Sequence, residues 1–269
     1  MSDAPRTDAA ATLHGELPAC LFLSFAASSR PRIDDVATEL SRFTPLAVAL
    51  AAAEGFTGLR AHVPSDADDP YLKDTDAPAL VLQLYFDGVE TLGAQCAEGS
   101  VLHRLLQGRT TGAGQALAGG FDGTASWQAM TVERIETGSA ASLPEVHCTY
   151  LVAYEGTSPD EATWHAHYLE HHVPLMKRLP GLRQLEIYSP LAGAFHAPAL
   201  ASCTLANAMQ RNKVVFDSPQ ALTAALNSPV RHDMRKDFQQ SPPFAGRSTH
   251  YPMATRSWPA LSAATTAAD

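Results

Sequence analysis

The chain has 269 residues, with 19 Lys and Arg against 28 Asp and Glu, for a formal net charge of −9. Hydrophobic residues make up 45%, enough for a sizeable core and too many for wholesale disorder. The acidic balance excludes a general nucleic-acid binder, which needs clustered Lys and Arg, and a protein docked electrostatically on anionic lipid.

In chain order, residues 1–13 are polar and expected to be disordered. The apolar run 21–27 is too short for a signal core or a membrane span, so a cytoplasmic location is expected. The first half reads as a strand over 20–25, a helix over 33–53, strands over 59–63 and 80–86, a helix over 89–106 and a strand over 127–135. A Gly-, Ser-, Ala- and Pro-containing linker follows at 137–145. The second half opens with a strand over 146–154. A helix then begins at Ser158-Pro159-Asp160-Glu161, with Ser158 expected as cap and Glu161 as its capping-box partner. Pro180-Gly181 ends that helix. A strand over 182–188, a loop over 189–202 and a strand ending at 213–216 come next. Asp217-Ser218-Pro219 starts a helical stretch through Phe238, and a last strand covers 249–255. Cys20, Cys96, Cys148 and Cys203 are widely spaced and form no C-x-x-C, so they read as buried hydrophobes in a reducing compartment.

The halves are related. Phe86-Asp87, Leu92 and Ala94 match Phe216-Asp217, Leu222 and Ala224, an offset of 130. Pro45-Leu46 followed by Gly58-Leu59-Arg60 matches Pro174-Leu175 followed by Gly181-Leu182-Arg183. A period this long suggests a duplicated unit rather than a solenoid. Each half parses as β-α-β-β-α-β, the ferredoxin-like order. The division is therefore 14–136 for a first, degenerate unit, 146–256 for a second unit carrying the site, and 257–269 for a loose tail.

Trp164, Glu170-His171-His172-Val173-Pro174-Leu175, Leu179-Pro180-Gly181-Leu182-Arg183, Phe216-Asp217-Ser218 and Ala225-Leu226-Asn227-Ser228-Pro229 together resemble the EthD family, over roughly 146–253. The resemblance implies the dimeric α+β barrel superfamily. Two ferredoxin-like units would then pack sheet against sheet as a pseudo-dimer within one chain, with a further homodimer possible. It also implies a pocket between helices and sheet, entered by His172.

Helical projection supports that position independently. At 100° per residue, Trp164, His165, Tyr168, Leu169, Leu175 and Met176 share one face with His172 near its centre. Counting back from Pro45-Leu46 places Phe43 opposite His172, and a phenyl ring cannot move a proton. One active pocket per chain is expected, in the second half.

The expected chemistry is general acid–base catalysis by His172. His165, Tyr150, Tyr188 and His250 are the candidate catalytic partners, with Thr149, Glu186 and Tyr251 as further strand candidates. Trp164, Tyr168, Leu169, Met176 and Phe216 are the candidate substrate wall. The resemblance implies a cofactor-independent isomerase, cyclase, dehydratase or decarboxylase acting on a lactone, cyclic ketone or aromatic-derived acid. No G-x-G-x-x-G follows a strand and no Walker loop is present, so no nucleotide cofactor is expected. Other readings stay open. His167-Tyr168-Leu169-Glu170-His171 matches the zinc pattern H-x-x-E-H, although the pair projects onto the polar side and no metal is expected. Gly119-Gly120-Phe121-Asp122-Gly123 resembles the G-x-x-D-G of dye-decolourising haem peroxidases. An oxygen-using enzyme, haem-dependent or cofactor-free, and a non-enzymatic binding or stress protein on the same scaffold complete the set.

Overall fold

The computed structural model describes residues 17–26, 35–72, 74–107, 125–139, 141–191 and 195–260. The first half contains β1 (Ala19–Phe25), α1 (Val36–Ser41), α2 (Thr44–Leu50), β2 (Phe56–Pro64), β3 (Leu80–Phe86), α3 (Val89–Gln95), α4 (Val101–Leu106) and β4 (Ala125–Ile135). The second contains β5 (Val146–Thr157), α5 (Glu161–His167), a π-helical turn (Tyr168–His172), α6 (Val173–Met176), β6 (Gln184–Pro190), a 3-10 turn (Pro198–Leu200), β7 (Thr204–Leu205), β8 (Ala208–Phe216), α7 (Pro219–Leu226), α8 (Pro229–Gln240) and β9 (Ala245–Pro259).

The protein is α+β. Its sheet runs β1-β3-β2-β9-β5-β8-β6-β4 and closes because β1 also pairs with β4; β7 adds two residues beside β4. Apart from β7 all pairings are antiparallel. Within each half the strand order is the same, β4-β1-β3-β2 and β9-β5-β8-β6. The halves join at β2–β9 and β4–β6, and closure leaves the ring no free edge.

Strand alternation divides the apolar residues into three layers. Along β5, Cys148, Tyr150, Val152 and Tyr154 face the second half's helices, while Leu151 packs in the barrel lumen with Cys20, Phe22, Met130, Tyr188 and Met253. The first half's helices cover their own core of Leu21, Leu40, Phe43, Leu46, Leu82 and Trp127. Because helices and lumen bury both faces, the strands read as nearly continuous apolar runs.

Several expected boundaries move. The helix expected over 33–53 is α1 and α2, interrupted at Arg42 and Phe43; residues 33 and 34 lie outside the described set. The helix expected over 89–106 is α3 and α4, with Gly99 at φ +78° in the bend between them. Asp160, not Ser158, caps α5, accepting from Thr163 N at 2.9 Å and Thr163 Oγ1 at 2.7 Å. Ser158 instead donates to Pro243 O at 2.9 Å. β9 extends to Pro259 because it pairs with β2 as well as β5, so the expected boundary at 256 falls inside a strand. Among the described residues, no helix is long and apolar enough to cross a membrane.

Candidate active site

Proline sets the shape of the site. Pro174 has no N–H, and its ring crowds the carbonyl four residues earlier, so a regular α-helical ladder cannot pass through Glu170. The chain relieves this with the π-helical turn Tyr168–His172. In that wider turn Tyr168 and His172 lie one above the other, ring centroids 4.7 Å apart, and both are buried.

His172 Nδ1 lies 2.7 Å from Asp237 Oδ2 on α8, and its side chain is only 7% exposed. A carboxylate can only accept, so Nδ1 carries the hydrogen and Nε2 keeps its lone pair. Burial pushes the imidazole below its ordinary pKa, against the pull of Asp237. His172 is thus a neutral, oriented base.

A second polar group sits across the cavity. Tyr150 donates to Asp69 Oδ2 at 2.7 Å, and Arg231 Nη2 donates to the same oxygen at 3.0 Å. Backbone N–H groups of Tyr71 and Leu72 close Asp69's other oxygen at 2.7 and 3.1 Å. Burial opposes the charge on Asp69, but Arg231 and these donors hold the carboxyl below its ordinary pKa. Burial, and then the Asp69 carboxylate, push the Tyr150 phenol well above its usual range, so it stays protonated. Asp69 belongs to the segment between β2 and β3, so the first half helps to build a pocket covered by the second half's helices.

Between helices and sheet lies a cavity of about 120 Å³ lined by His172, Tyr150, His250, Asn212, Tyr168 and Met176 among others. Leu72, Tyr150 and His250 also border an outer groove of about 810 Å³ that carries Asp66, Asp68 and Asp74. His250 N donates to Asp74 Oδ2 at 2.7 Å, and the imidazole lies 5.7 Å from the Tyr150 ring. Asn212 Nδ2 donates to Tyr168 Oη at 2.5 Å.

Of the catalytic residues expected from sequence, the structure gathers His172, Tyr150 and His250 around this cavity. His165 is placed elsewhere, engaged with Gln210 Oε1 at 2.7 Å. Tyr188 faces the barrel lumen, donating to Glu186 Oε2 at 2.5 Å; Thr149 and Tyr251 face that side as well. Alternation excludes these lumenal residues from the helix-side cavity. Of the expected wall, Tyr168, Met176 and Phe216 line the cavity. Trp164 stands behind it, stacked on Tyr168 at 5.4 Å, and Leu169 packs at the edge of the second core. Asp237, Asp69, Arg231 and Asn212 were not among the expected site residues. His167 and His171 have ring centroids 4.5 Å apart, yet no group of three potential ligands that could hold a metal occurs among the described residues. The G-x-x-D-G segment at 119–123 lies outside them.

No family model matches the chain, and no curated protein matches it. Solved structures do. An anthrone oxidase-like protein superposes with a TM-score of 0.53 at 14% identity, covering 93% of this chain and 97% of that one. A candidate monooxygenase from Fusobacterium nucleatum superposes with a TM-score of 0.53 at 10% identity, covering 89% and 93%. Another, from Lactobacillus acidophilus, gives 0.52 at 9% identity, covering 89% and 94%. The fold is similar to that of the dimeric α+β barrel proteins.

The closed sheet has two helix–sheet spaces, one in each half, and strand register allows them to be compared residue by residue. Phe86 pairs with Ala19 in the first half, as Phe216 pairs with Cys148 in the second. Tyr150 therefore corresponds to Leu21, and Asn212 to Leu82. His250 pairs with Val152 as Trp127 pairs with Leu23, so His250 corresponds to Trp127. Phe43 immediately precedes α2 as His172 precedes α6, each two residues before a proline. Four polar residues of the cavity thus have large apolar counterparts, and all four counterparts are buried in the first core.

Proposed function

We propose that the chain is a small-molecule enzyme with one active site, the His172 cavity of the second half. The supporting observation is the His172–Asp237 pair: a buried imidazole with its Nδ1 hydrogen committed to a carboxylate and its Nε2 lone pair left for a ligand. Such a nitrogen removes a proton from carbon or oxygen and returns it, in the manner of a general acid–base catalyst. Asn212, through its second amide hydrogen, and Tyr150, by turning its O–H from Asp69, donate to a substrate oxygen. Val152, Met176, Val214 and Phe216 favour an apolar body. The substrate class is an oxygenated, mostly apolar compound such as a lactone or cyclic ketone. The reaction class is isomerisation, cyclisation, dehydration or decarboxylation without a cofactor. The cavity is smaller than usual for a drug-sized ligand, so substrate enters by displacing Leu72 toward the outer groove. The two halves are read as tandem ferredoxin-like units, of EthD type, in which the first lost its polar residues and kept the scaffold.

A second reading has support from the fold neighbours, which include an anthrone oxidase-like protein and candidate monooxygenases. Here the base deprotonates a phenol- or ketone-type substrate, and the electron-rich anion reacts with dioxygen. Screening lactones, cyclic ketones and anthrone-type compounds by absorbance, in parallel with an oxygen electrode, separates the two. Turnover without oxygen uptake supports the lyase or isomerase class; uptake matched to turnover supports the oxidase. Wild-type turnover that persists in His172→Ala sinks both.

A further inference from the structure

The barrel lumen holds a second chamber, on the opposite face of β5, β8 and β9 from His172. Its volume is about 490 Å³, within the range of small-molecule sites. Phe22, Val81, Leu151 and Ala153 provide apolar surface, and Ser24, Ser126 and Thr249 provide hydroxyls. Thr249 is 2% exposed, and its buried hydroxyl lies beside that of Tyr251.

Arg211 projects into this chamber. Its neighbour Asn212 faces the His172 cavity, so alternation along β8 turns Arg211 to the lumen. The guanidinium lies 5.1 Å from the Phe22 ring centroid, and Nε donates to Gln128 Oε1 at 3.1 Å. Among the described residues it has no carboxylate in salt-bridge contact. The acids nearby are already engaged: Arg247 holds Glu155 at 2.8 Å and Asp76 at 2.6 Å, and Tyr251 also donates to Asp76, at 3.1 Å. Glu155 acts on Arg211 only at longer range, while burial works against its charge. A part-buried guanidinium without a counter-ion in contact is unfavourable, and its planar fork of donors matches a carboxylate.

We infer that the lumenal chamber binds a small monocarboxylate with a compact apolar body, its carboxylate forked by Arg211 and its hydrocarbon against Phe22, Val81 and Leu151. The Thr249 hydroxyl is placed to donate to the same anion. This site is separate from the proposed active site, with the sheet as the wall between them.

Titration calorimetry of the full chain with sodium benzoate and sodium hexanoate tests it. At least one is expected to bind saturably at one site, with the same affinity in His172→Ala. Arg211→Met is expected to weaken binding at least about tenfold, some 1.4 kcal/mol. Amide shifts in labelled protein give a readout that needs no variant, and are expected around Phe22, Leu151 and Thr249. Absence of saturable binding by both probes, equal binding in Arg211→Met, or shifts confined to Tyr168, His172 and Asp237 would overturn the proposal. If Arg211→Met does not fold, Arg211→Lys keeps the charge but loses the fork. Undiminished binding in that variant, together with no lumenal shifts, refutes it equally.

Discussion

In the first half, Leu21, Phe43, Leu82 and Trp127 meet between helices and sheet. In the second, the same places hold Tyr150, His172, Asn212 and His250. Apolar side chains fill such a space with no requirement beyond shape, whereas each buried polar group needs a partner. Partners are present for each: Asp237 for His172 and Tyr168 for Asn212 from the second half, and Asp69 for Tyr150. Asp69 comes from the first half, so the apolar unit contributes scaffold and one wall to the polar one. Two halves with the same strand order therefore differ in what they hold between helices and sheet, one a tight apolar core and the other a partnered polar cavity.

The strongest way to break this comparison is to exchange its key residues for alanine. His172→Ala is expected to lower kcat by about 10²–10⁴-fold, the usual worth of a positioned acid–base group. Phe43→Ala should leave kcat per folded molecule intact while lowering unfolding free energy by about 3–5 kcal/mol, measured in urea. If both variants lose activity alike without unfolding, the halves are not divided as described. Next in size is the bridge between halves. Arg231→Met strands Asp69 as a buried, uncompensated charge and is expected to cost about 3–5 kcal/mol, read from the same denaturation curves. Loss of less than about 1 kcal/mol would mean that the contact is dispensable.

Acid should act through the buried histidines of both halves. Burial holds His62, His147 and His172 below their ordinary pKa, His147 at about 4. As pH falls below about 6.5, the unfolded chain takes up protons that the folded chain refuses. Stability is therefore expected to be fully present above that pH and to decline from there toward pH 4. His172→Phe, which makes the second half resemble the first, should flatten part of that slope; an unchanged slope would remove His172 from the titration. The smallest effect concerns the entry to α5, the helix that leads to His172. Asp160→Ala should cost about 1 kcal/mol as a lost cap, while Ser158→Ala stays within about 0.5 kcal/mol.

Much of this was legible along the chain. The apolar runs located every ring strand, and the offset between Phe86-Asp87 and Phe216-Asp217 marked equivalent strand ends followed by helices. His172 stood out by position and phase, and Phe43 as its counterpart. The partners were less visible. Asp69 is 81 residues from Tyr150 and 162 from Arg231, separations over which no periodicity operates. Tyr188 looked as eligible as Tyr150 because both are strand tyrosines; only the pairing of their strands shows that one faces lumen and the other helix. His165 shared the helical face of His172 at ideal spacing. The π-helical turn, a local response to Pro174, shifts that phase and turns His165 to Gln210 instead.

Local chemistry alone thus determined the element order and the one histidine worth testing, because strand alternation, helix phase and proline act over a few residues. The tertiary structure decided which face of each strand became cavity and which became lumen, and which distant carboxylates met the buried imidazole and phenol. Those outcomes depend on barrel closure, where β2 meets β9 and β4 meets β6. Closure is a long-range event, and only afterwards does desolvation act on the groups it brings together.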